Sequence, residues 1–124
     1  MTEQSVEQEI AAKGLTAPRV TPALIDAAIS ARYTFTAAAA LKGTPGESDP
    51  SCKLLTICVL VLKNGFTVTG ESACASPENF DAELGASLAF AHARDKIWPL
   101  EGYLLKSHLA EKAAQAPHHK SDKR

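Results

Sequence analysis

The dipeptide Asn64-Gly65 stands between two strand-forming segments and restricts the fold of this chain more than any other feature. Residues 54–63 before it and residues 66–70 after it contain many β-branched side chains, which favour strands. Asparagine and glycine both tolerate the positive φ that a two-residue type I′ turn requires. The sequence therefore predicts an antiparallel hairpin in which Lys63 pairs with Phe66.

Continuing this register along the hairpin divides its side chains between two faces. One face carries Ile57, Val59, Val61, Phe66 and Val68, and the other carries Cys58, Leu60, Leu62, Thr67 and Thr69. The face of Cys58 is too apolar to remain in water. We therefore expect the N-terminal helix or another subunit to cover it, with Cys58 itself a small core residue.

Helix signals precede the hairpin. Residues 2–13 form a short predicted helix with a glycine just past its end. Thr21-Pro22 predicts the start of a second helix that runs to about residue 32. A first strand over residues 33–36 and a loop over residues 42–50 follow it.

Helix signals also follow the hairpin. Ser76-Pro77 predicts the start of a helix that extends toward Ile97, with Ser76 as its N-cap. Gly85 inside this helix indicates close approach of another backbone. Pro99 predicts a break near residues 96–98, and a further helix covers residues 100–114.

Together these elements predict an α+β fold, in which C-terminal helices pack on a small antiparallel sheet centred on the Asn-Gly hairpin. The 124 residues are enough for one domain, with residues 1–50 as its N-terminal part and residues 51–114 as its hairpin and C-terminal helices. Residues 115–124 are expected to be disordered. The core is expected to be modest because aromatic residues are few, so we predict a homo-oligomer.

Charge and composition exclude some classes of partner. The formal net charge is -1 and no basic stripe is present, so the sequence argues against binding to a nucleic-acid polymer. The longest apolar run, residues 54–62, is too short to span a bilayer, and the N-terminus lacks a signal peptide. We therefore expect no membrane partner and a cytosolic location.

The sequence contains no recognisable catalytic motif, metal site or cofactor loop, so we expect a protein that is not an enzyme. The three cysteines form no CxxC pair. His92 is expected to be a surface or interface residue, and Cys74 to be a structural thiol. No cofactor and no bound metal are predicted.

A binding site is the remaining possibility. Residues 70–76 connect the hairpin to a helix N-terminus, where free backbone N–H groups and the helix dipole favour phosphate. Phe80 could stack on a base, and nearby side chains could donate hydrogen bonds or charge; they are Thr69, Glu71, Ser72, Ser76, Asn79, Lys53, Arg94 and Lys96. The alternative is that Ser76 only caps its helix and Phe80 only fills the core.

Several motifs are specific in combination: NGF at residues 64–66, GESAC at 70–74, ENFD at 78–81 and WPLEGY at 98–103. Over residues 54–109, the chain resembles a family of small phage proteins catalogued after gene products of enteric podophages. That family is similar to, or includes, the first-described type of Thoeris anti-defence proteins. These proteins act as sponges that bind cyclic ADP-ribose signals, and some are dimers while others are hexamers.

The resemblance implies an anti-defence protein of a bacteriophage that acts in the host cytoplasm. Such a protein would sequester a cyclic nucleotide signal, glyco-cyclic ADP-ribose or a cyclic oligonucleotide, without cleaving it. A different class of function stays open, namely a protein-interaction module that inhibits a host protein through an exposed helix face.

Overall fold

The computed structural model describes residues 2–115. Three strands and six α-helices follow one another with two short 3-10 helices between them. In chain order they are α1 (Glu3–Ala12), α2 (Pro22–Ala27), β1 (Ile29–Thr36), α3 (Ala37–Ala40), a 3-10 helix (Pro45–Ser48), α4 (Pro50–Lys53), β2 (Leu55–Leu62), β3 (Thr67–Ala73), a second 3-10 helix (Pro77–Asn79), α5 (Ala82–Asp95) and α6 (Ile97–Gln115).

The strands form one antiparallel sheet in the order β1-β2-β3, which confirms the predicted α+β fold with C-terminal helices. The register of β2 and β3 differs by one residue from the prediction, because Leu60 pairs with Val68. The Leu62 N–H donates to the Phe66 carbonyl at 2.8 Å, so residues 63–65 form the connection. Gly65 has a φ of 88°, and the Asn64 side chain accepts a hydrogen bond from the Phe66 N–H.

This one-residue difference decides which side chains are buried, because side chains alternate between the two faces of a strand. Val68 shares the buried face of β2 with Cys58, Leu60 and Leu62. That face is covered by α5, together with Ile25 of α2 and Ile97 of α6, so its cover comes from within the chain. Cys58 is a core residue, as predicted.

The opposite face of the sheet is apolar but only partly buried. Ile57, Val59 and Val61 retain some exposure there, and Tyr33, which pairs with Val59, is 58% exposed. An antiparallel sheet with one wet face normally places polar residues on that face. The Cys58 face, which the sequence predicted to be covered, is thus covered within the chain, and the opposite apolar face is left partly open.

Small residues set the packing of α5 on the sheet. Gly85, Ala89 and Ala93 recur every four residues and form the buried side of the helix. Opposite them on β3, Gly70 leaves no room for a side chain, since a Cβ there would lie 2.3 Å from the Ala89 carbonyl oxygen. The larger side chain of Leu84 is left on the exposed side of α5.

Two helix boundaries differ from the predictions. The second predicted helix ends at Ala27, and β1 begins at Ile29, because the residues after Ile29 pair with β2. The helix expected from Ser76-Pro77 begins only at Ala82, where Asp81 accepts a hydrogen bond from the Leu84 N–H and acts as the N-cap. Residues 77–79 form a separate 3-10 turn instead.

Other elements agree with the sequence or extend it. The N-terminal helix and the break between α5 and α6 near Pro99 are confirmed. Part of the predicted loop over residues 42–50 forms a 3-10 turn, and α4 begins at its end. The predicted disordered tail lies outside the described residues, except for Gln115, which ends α6. Within residues 2–115, no helix has the length and apolarity needed to cross a membrane.

Candidate ligand-binding recess

A recess of about 120 Å³ opens between the start of α5 and the ends of β2 and β3. It brings together three of the residues that the sequence singled out, namely Ser72, Asn79 and Phe80. The other residues that line it are Leu54, Thr56, Ala73, Cys74, Asp81, Leu84, Gly85 and Leu88.

The sheet register and the helix cap place these groups together. Thr56 of β2 is paired with Ser72 of β3, so both side chains point to the face that α5 covers. The 3-10 turn at residues 77–79 and the Asp81 cap then bring Phe80 to the first turn of α5. The resulting recess has apolar walls, a hydroxyl-bearing floor and an aromatic ring at its side.

Thr56 is the unusual member of this group. Its side chain is only 4% exposed, and its Oγ1 has no hydrogen-bond partner among the described residues. A buried polar atom left without a partner costs about 1–3 kcal/mol. Gly85 packs closely against it, since a Cβ at that position would lie 2.9 Å from Thr56 Oγ1. Thr56 was not predicted from the sequence, although it interrupts an otherwise apolar strand.

A second polar groove adjoins the recess and shares Asp81 and Leu84 with it. Arg32 of β1 lines this groove, and its guanidinium lies 3.9 Å from the centre of the Phe90 ring. A cation held over an aromatic face in this way is positioned without an ion pair. Arg32 was not predicted as a site residue, because the sequence pattern placed it at the end of a helix.

The Ser76 hydroxyl is already engaged by a neighbour. It donates a hydrogen bond to Glu78 Oε1 at 2.8 Å and makes no cap bond to the helix that follows it. This hydrogen bond is the largest cause that lowers the pKa of Glu78 below its ordinary value. The Ser76 hydroxyl is therefore occupied by the Glu78 carboxylate, and neither of these residues lines the recess.

Thr69 and Glu71 lie on the exposed face of β3, on the side of the sheet away from α5. The Glu71 carbonyl is bound by His92 of α5, whose Nδ1 lies 2.6 Å away and must carry the proton because a carbonyl only accepts. Lys53 is exposed and directly precedes Leu54, which lines the recess. Of these three, Lys53 is the residue adjacent to the recess.

Arg94 and Lys96 belong to the other end of α5. The helix has 14 residues, so its ends are separated by about 20 Å. Arg94 donates a hydrogen bond to Asp26 at 2.8 Å and another to Glu3, and its hydrogen bonds to these carboxylates raise the pKa of Arg94 further above its ordinary value. The structure does not bring Arg94 or Lys96 to the recess of the same chain.

The Glu3 contact also connects α1 to the rest of the protein. No residue of α1 is fully buried, and a second ion pair joins Glu7 to Arg19 at 2.5 Å. Val6 and Glu7 face Trp98 across a shallow groove. The docking of α1 therefore relies on ion pairs more than on apolar burial.

A larger apolar cleft of about 510 Å³ lies away from the recess, between α2, the hairpin connection and α6. Phe66 and Tyr103 at this cleft are 55% and 78% exposed. Both belong to motifs on which the family resemblance rests, NGF and WPLEGY. Within residues 2–115, no group of three or more His, Cys, Asp or Glu side chains is arranged to hold a metal ion.

Comparison with known proteins gives one match. The family model described as phage protein (N4 Gp49/phage Sf6 gene 66) family matches residues 20–109, which is most of the chain and includes the recess, Arg32 and the apolar cleft. The match begins after α1. No curated protein and no solved structure matches the chain significantly.

Proposed function

Because the chain belongs to the N4 Gp49/phage Sf6 gene 66 family of phage proteins, we propose that it sequesters a small cyclic nucleotide immune signal in the host cytoplasm. The favoured ligand is an isomer of cyclic ADP-ribose, held without cleavage, as the resemblance to Thoeris anti-defence proteins implies. The observation that carries the proposal is the recess, where an aromatic ring stands beside a buried hydroxyl that has no partner.

The recess suits a heterocyclic base. Phe80 offers a ring on which a base can stack, and such stacking contributes about 1–3 kcal/mol. Leu54 and Leu88 supply apolar walls, while Asn79 supplies donors and an acceptor at the mouth. These groups bind and orient a base, and they provide no obvious nucleophile next to a histidine.

The charged part of the ligand is assigned to the adjoining groove. Arg32 lines it together with the carboxylates of Asp81 and Glu83, and exposed Lys53 directly precedes Leu54, which lines the recess. We assign the pyrophosphate that extends from a bound base to these two cations. We therefore assign to Arg32 the role that the sequence gave to Arg94, because Arg94 is committed to Asp26 and Glu3.

We also propose that two copies pack through α5. Leu84 and Leu88 form an apolar stripe on its outer side, 57% and 43% exposed. Acidic Asp81 and Glu83 stand at the N-terminal end of α5, whereas Lys96 stands at its C-terminal end. Antiparallel packing of two such helices pairs these opposite charges and brings Lys96 of a second copy beside the recess.

Titration calorimetry tests the ligand. The protein is titrated with cyclic ADP-ribose isomers and with cyclic di- and trinucleotides, and any bound ligand is recovered by heating and identified by mass. We expect tight binding of one cyclic ADP-ribose isomer, recovered intact. Phe80→Ala should abolish binding, whereas Phe66→Ala, at the remote cleft, should retain it. Absence of heat with every compound contradicts the proposal, and recovery of a cleaved product contradicts sequestration.

Light scattering after gel filtration tests the assembly. Leu88→Lys should reduce the mass of the particle because it places a charge in the α5 stripe. Leu109→Lys, on the distal part of α6, serves as the matched control and should leave the mass unchanged. A monomeric wild-type protein would contradict the α5 packing.

The apolar cleft favours a second candidate function, in which the chain binds and inhibits a host protein. Its exposed aromatic rings, Phe66 and Tyr103, are residue types enriched at the centres of protein interfaces. If no nucleotide binds, and the double variant Phe66→Asp, Tyr103→Asp loses activity against host defence while keeping its fold, this second function is preferred.

A further inference from the structure

Three hydroxyl residues stand side by side across the sheet. Thr36, Thr56 and Ser72 are successive partners in β1, β2 and β3, so their side chains share the face that α5 covers. Thr36 is accounted for, since its hydroxyl accepts a hydrogen bond from the Ala39 N–H and caps α3. Thr56 is the central one, and nothing in residues 2–115 bonds its hydroxyl.

Packing alone does not account for the Thr56 hydroxyl. Valine has nearly the same shape, and the neighbouring inward positions of β2, Cys58 and Leu60, are apolar. A buried hydroxyl without a partner calls for a water or a ligand that supplies one. Gly85 lies next to this hydroxyl, and any side chain there would press on it, since a Cβ would come within 2.9 Å of Thr56 Oγ1.

The shape and the lining of the recess indicate which kind of molecule could hydrogen-bond the Thr56 hydroxyl. The recess has a volume of about 120 Å³, and the side chains of Leu54, Phe80 and Leu84 give it apolar walls. Thr56 and Ser72 contribute hydroxyl side chains to the same recess. A flat ring with apolar faces and a polar edge suits this recess, because its faces can pack against the apolar side chains while its edge hydrogen-bonds the hydroxyls.

We propose that Thr56 and Ser72 form the polar floor of the recess and hydrogen-bond the edge of the ligand's heterocyclic base. This inference rests on the proposed nucleotide-binding function and names the residues that select the base. A phosphate is a poorer occupant of this floor, because an anion between apolar walls loses its hydration without a cation beside it. Arg32 and Lys53 therefore hold the charged groups outside the recess.

A hydroxyl can donate or accept, so the floor accepts base edges that carry an amino or a carbonyl group. It disfavours a ring whose edge has neither group, because the two hydroxyls would then remain unpaired. Base selection and phosphate binding are thus separable, since the base depends on Thr56 of β2 and Ser72 of β3, whereas the phosphates depend on Arg32 of β1 and Lys53 of α4.

Four variants test the floor: Thr56→Val, Thr56→Ser, Ser72→Ala and Thr69→Val. The probes are the cyclic ADP-ribose isomers, measured by calorimetry on the full chain, with urea unfolding of each variant without ligand. Thr56→Val should be at least as stable as wild type, because it removes an unpaired hydroxyl, yet bind about fivefold to tenfold more weakly. Ser72→Ala should weaken binding similarly.

The remaining variants separate the role of the hydroxyl from a structural effect. Thr56→Ser keeps the hydroxyl and should retain most of the affinity, and Thr69→Val, the same change on the opposite face of the sheet, should bind as wild type does. If wild type binds a probe and Thr56→Val binds it equally well, Thr56 does not bind the base, while the proposed nucleotide-binding function stands. Reduced stability of Thr56→Val without ligand would also contradict the assignment of the Thr56 hydroxyl to the ligand. If wild type binds no probe, both the proposed function and the assignment of Thr56 and Ser72 to base binding are wrong.

Discussion

Gly70 of β3 and Ala89 of α5 meet backbone to backbone, and a Cβ on Gly70 would lie 2.3 Å from the Ala89 carbonyl oxygen. The same Cβ would also stand 2.3 Å from the Ala93 nitrogen. Real Cβ atoms do not approach backbone atoms this closely, and neither partner can rotate away as a side chain can. The spacing between helix and sheet therefore depends on a glycine at this position.

Substitution of Gly70 should consequently destabilise the whole domain. Gly70→Ala forces α5 away from the sheet and opens the core cluster, and we expect a loss of about 3 kcal/mol in the free energy of unfolding. Urea denaturation followed by circular dichroism measures it. Gly102→Ala is the matched control, because a Cβ there meets nothing within 4 Å and alanine favours a helix by up to about 1 kcal/mol. Equal stability of the two variants would refute the close approach.

The hydrogen bond between Ser76 and Glu78 should be visible in the titration of the carboxyl group. Ser76→Ala removes the donor, so the pKa of Glu78 should rise toward its ordinary value of 4.5. Carbon-detected NMR titration of the glutamate carboxyls measures this change. Ser87→Ala, on the exposed side of α5, should leave the pKa of Glu78 low. An unchanged pKa in Ser76→Ala would show that the hydroxyl does not donate to Glu78 in solution.

Loss of Arg94 should detach the N-terminal helix while leaving the sheet intact. Arg94→Ala removes the bonds to both Glu3 and Asp26, and we expect faster cleavage between residues 13 and 19 in limited proteolysis. Trp98, the only tryptophan, faces α1 and should report the change by its fluorescence. Lys13→Ala breaks only a pair within α1 and serves as control. Protection equal to wild type in Arg94→Ala would mean that apolar contacts suffice to dock α1.

Acid should release the same helix. The hydrogen bond from Arg19 is the main reason that the pKa of Glu7 lies below its ordinary value of 4.5. A carboxyl whose pKa is depressed in the folded state stabilises that state above its ordinary pKa and loses this contribution as the pH falls through the lowered value. Trp98 fluorescence should therefore stay constant from pH 8 to about pH 5 and change at lower pH. Glu7→Gln should already resemble the acid form at neutral pH, and a Glu7→Gln signal identical to that of wild type at pH 7 would contradict this.

The sequence predicts the fold correctly where interactions between residues close in the chain determine the secondary structure. The strand-forming segments around Asn64-Gly65 and the helix signals at Thr21-Pro22 give the correct classes of element. The register was not accessible, because the three-residue connection depends on the hydrogen bond from the Phe66 N–H to Asn64. The shifted register places Val68, and not Thr67 and Thr69, beside Leu60 on the covered face.

The sequence predicted only part of the candidate site, because some of its residues are distant in the chain. Residues that lie close in sequence, such as Asn79 and Phe80, were found together because one short segment carries them. Thr56 and Arg32 could not be associated with them, since the sheet brings these residues from two other strands. Arg94 was misplaced because its ion pairs with Glu3 and Asp26 are long-range contacts that no local pattern encodes.

The glycine contact also has a kinetic consequence. With no side chain between α5 and β3, the two walls of the recess cannot separate without disrupting the core around Leu60 and Ala93. Under the proposed function, a ligand therefore meets a site that already has its final shape, and its capture requires no ordering step. Association would then proceed at a rate set by diffusion and by the charges at the rim, so a pool of this protein would intercept ligand in proportion to its own concentration.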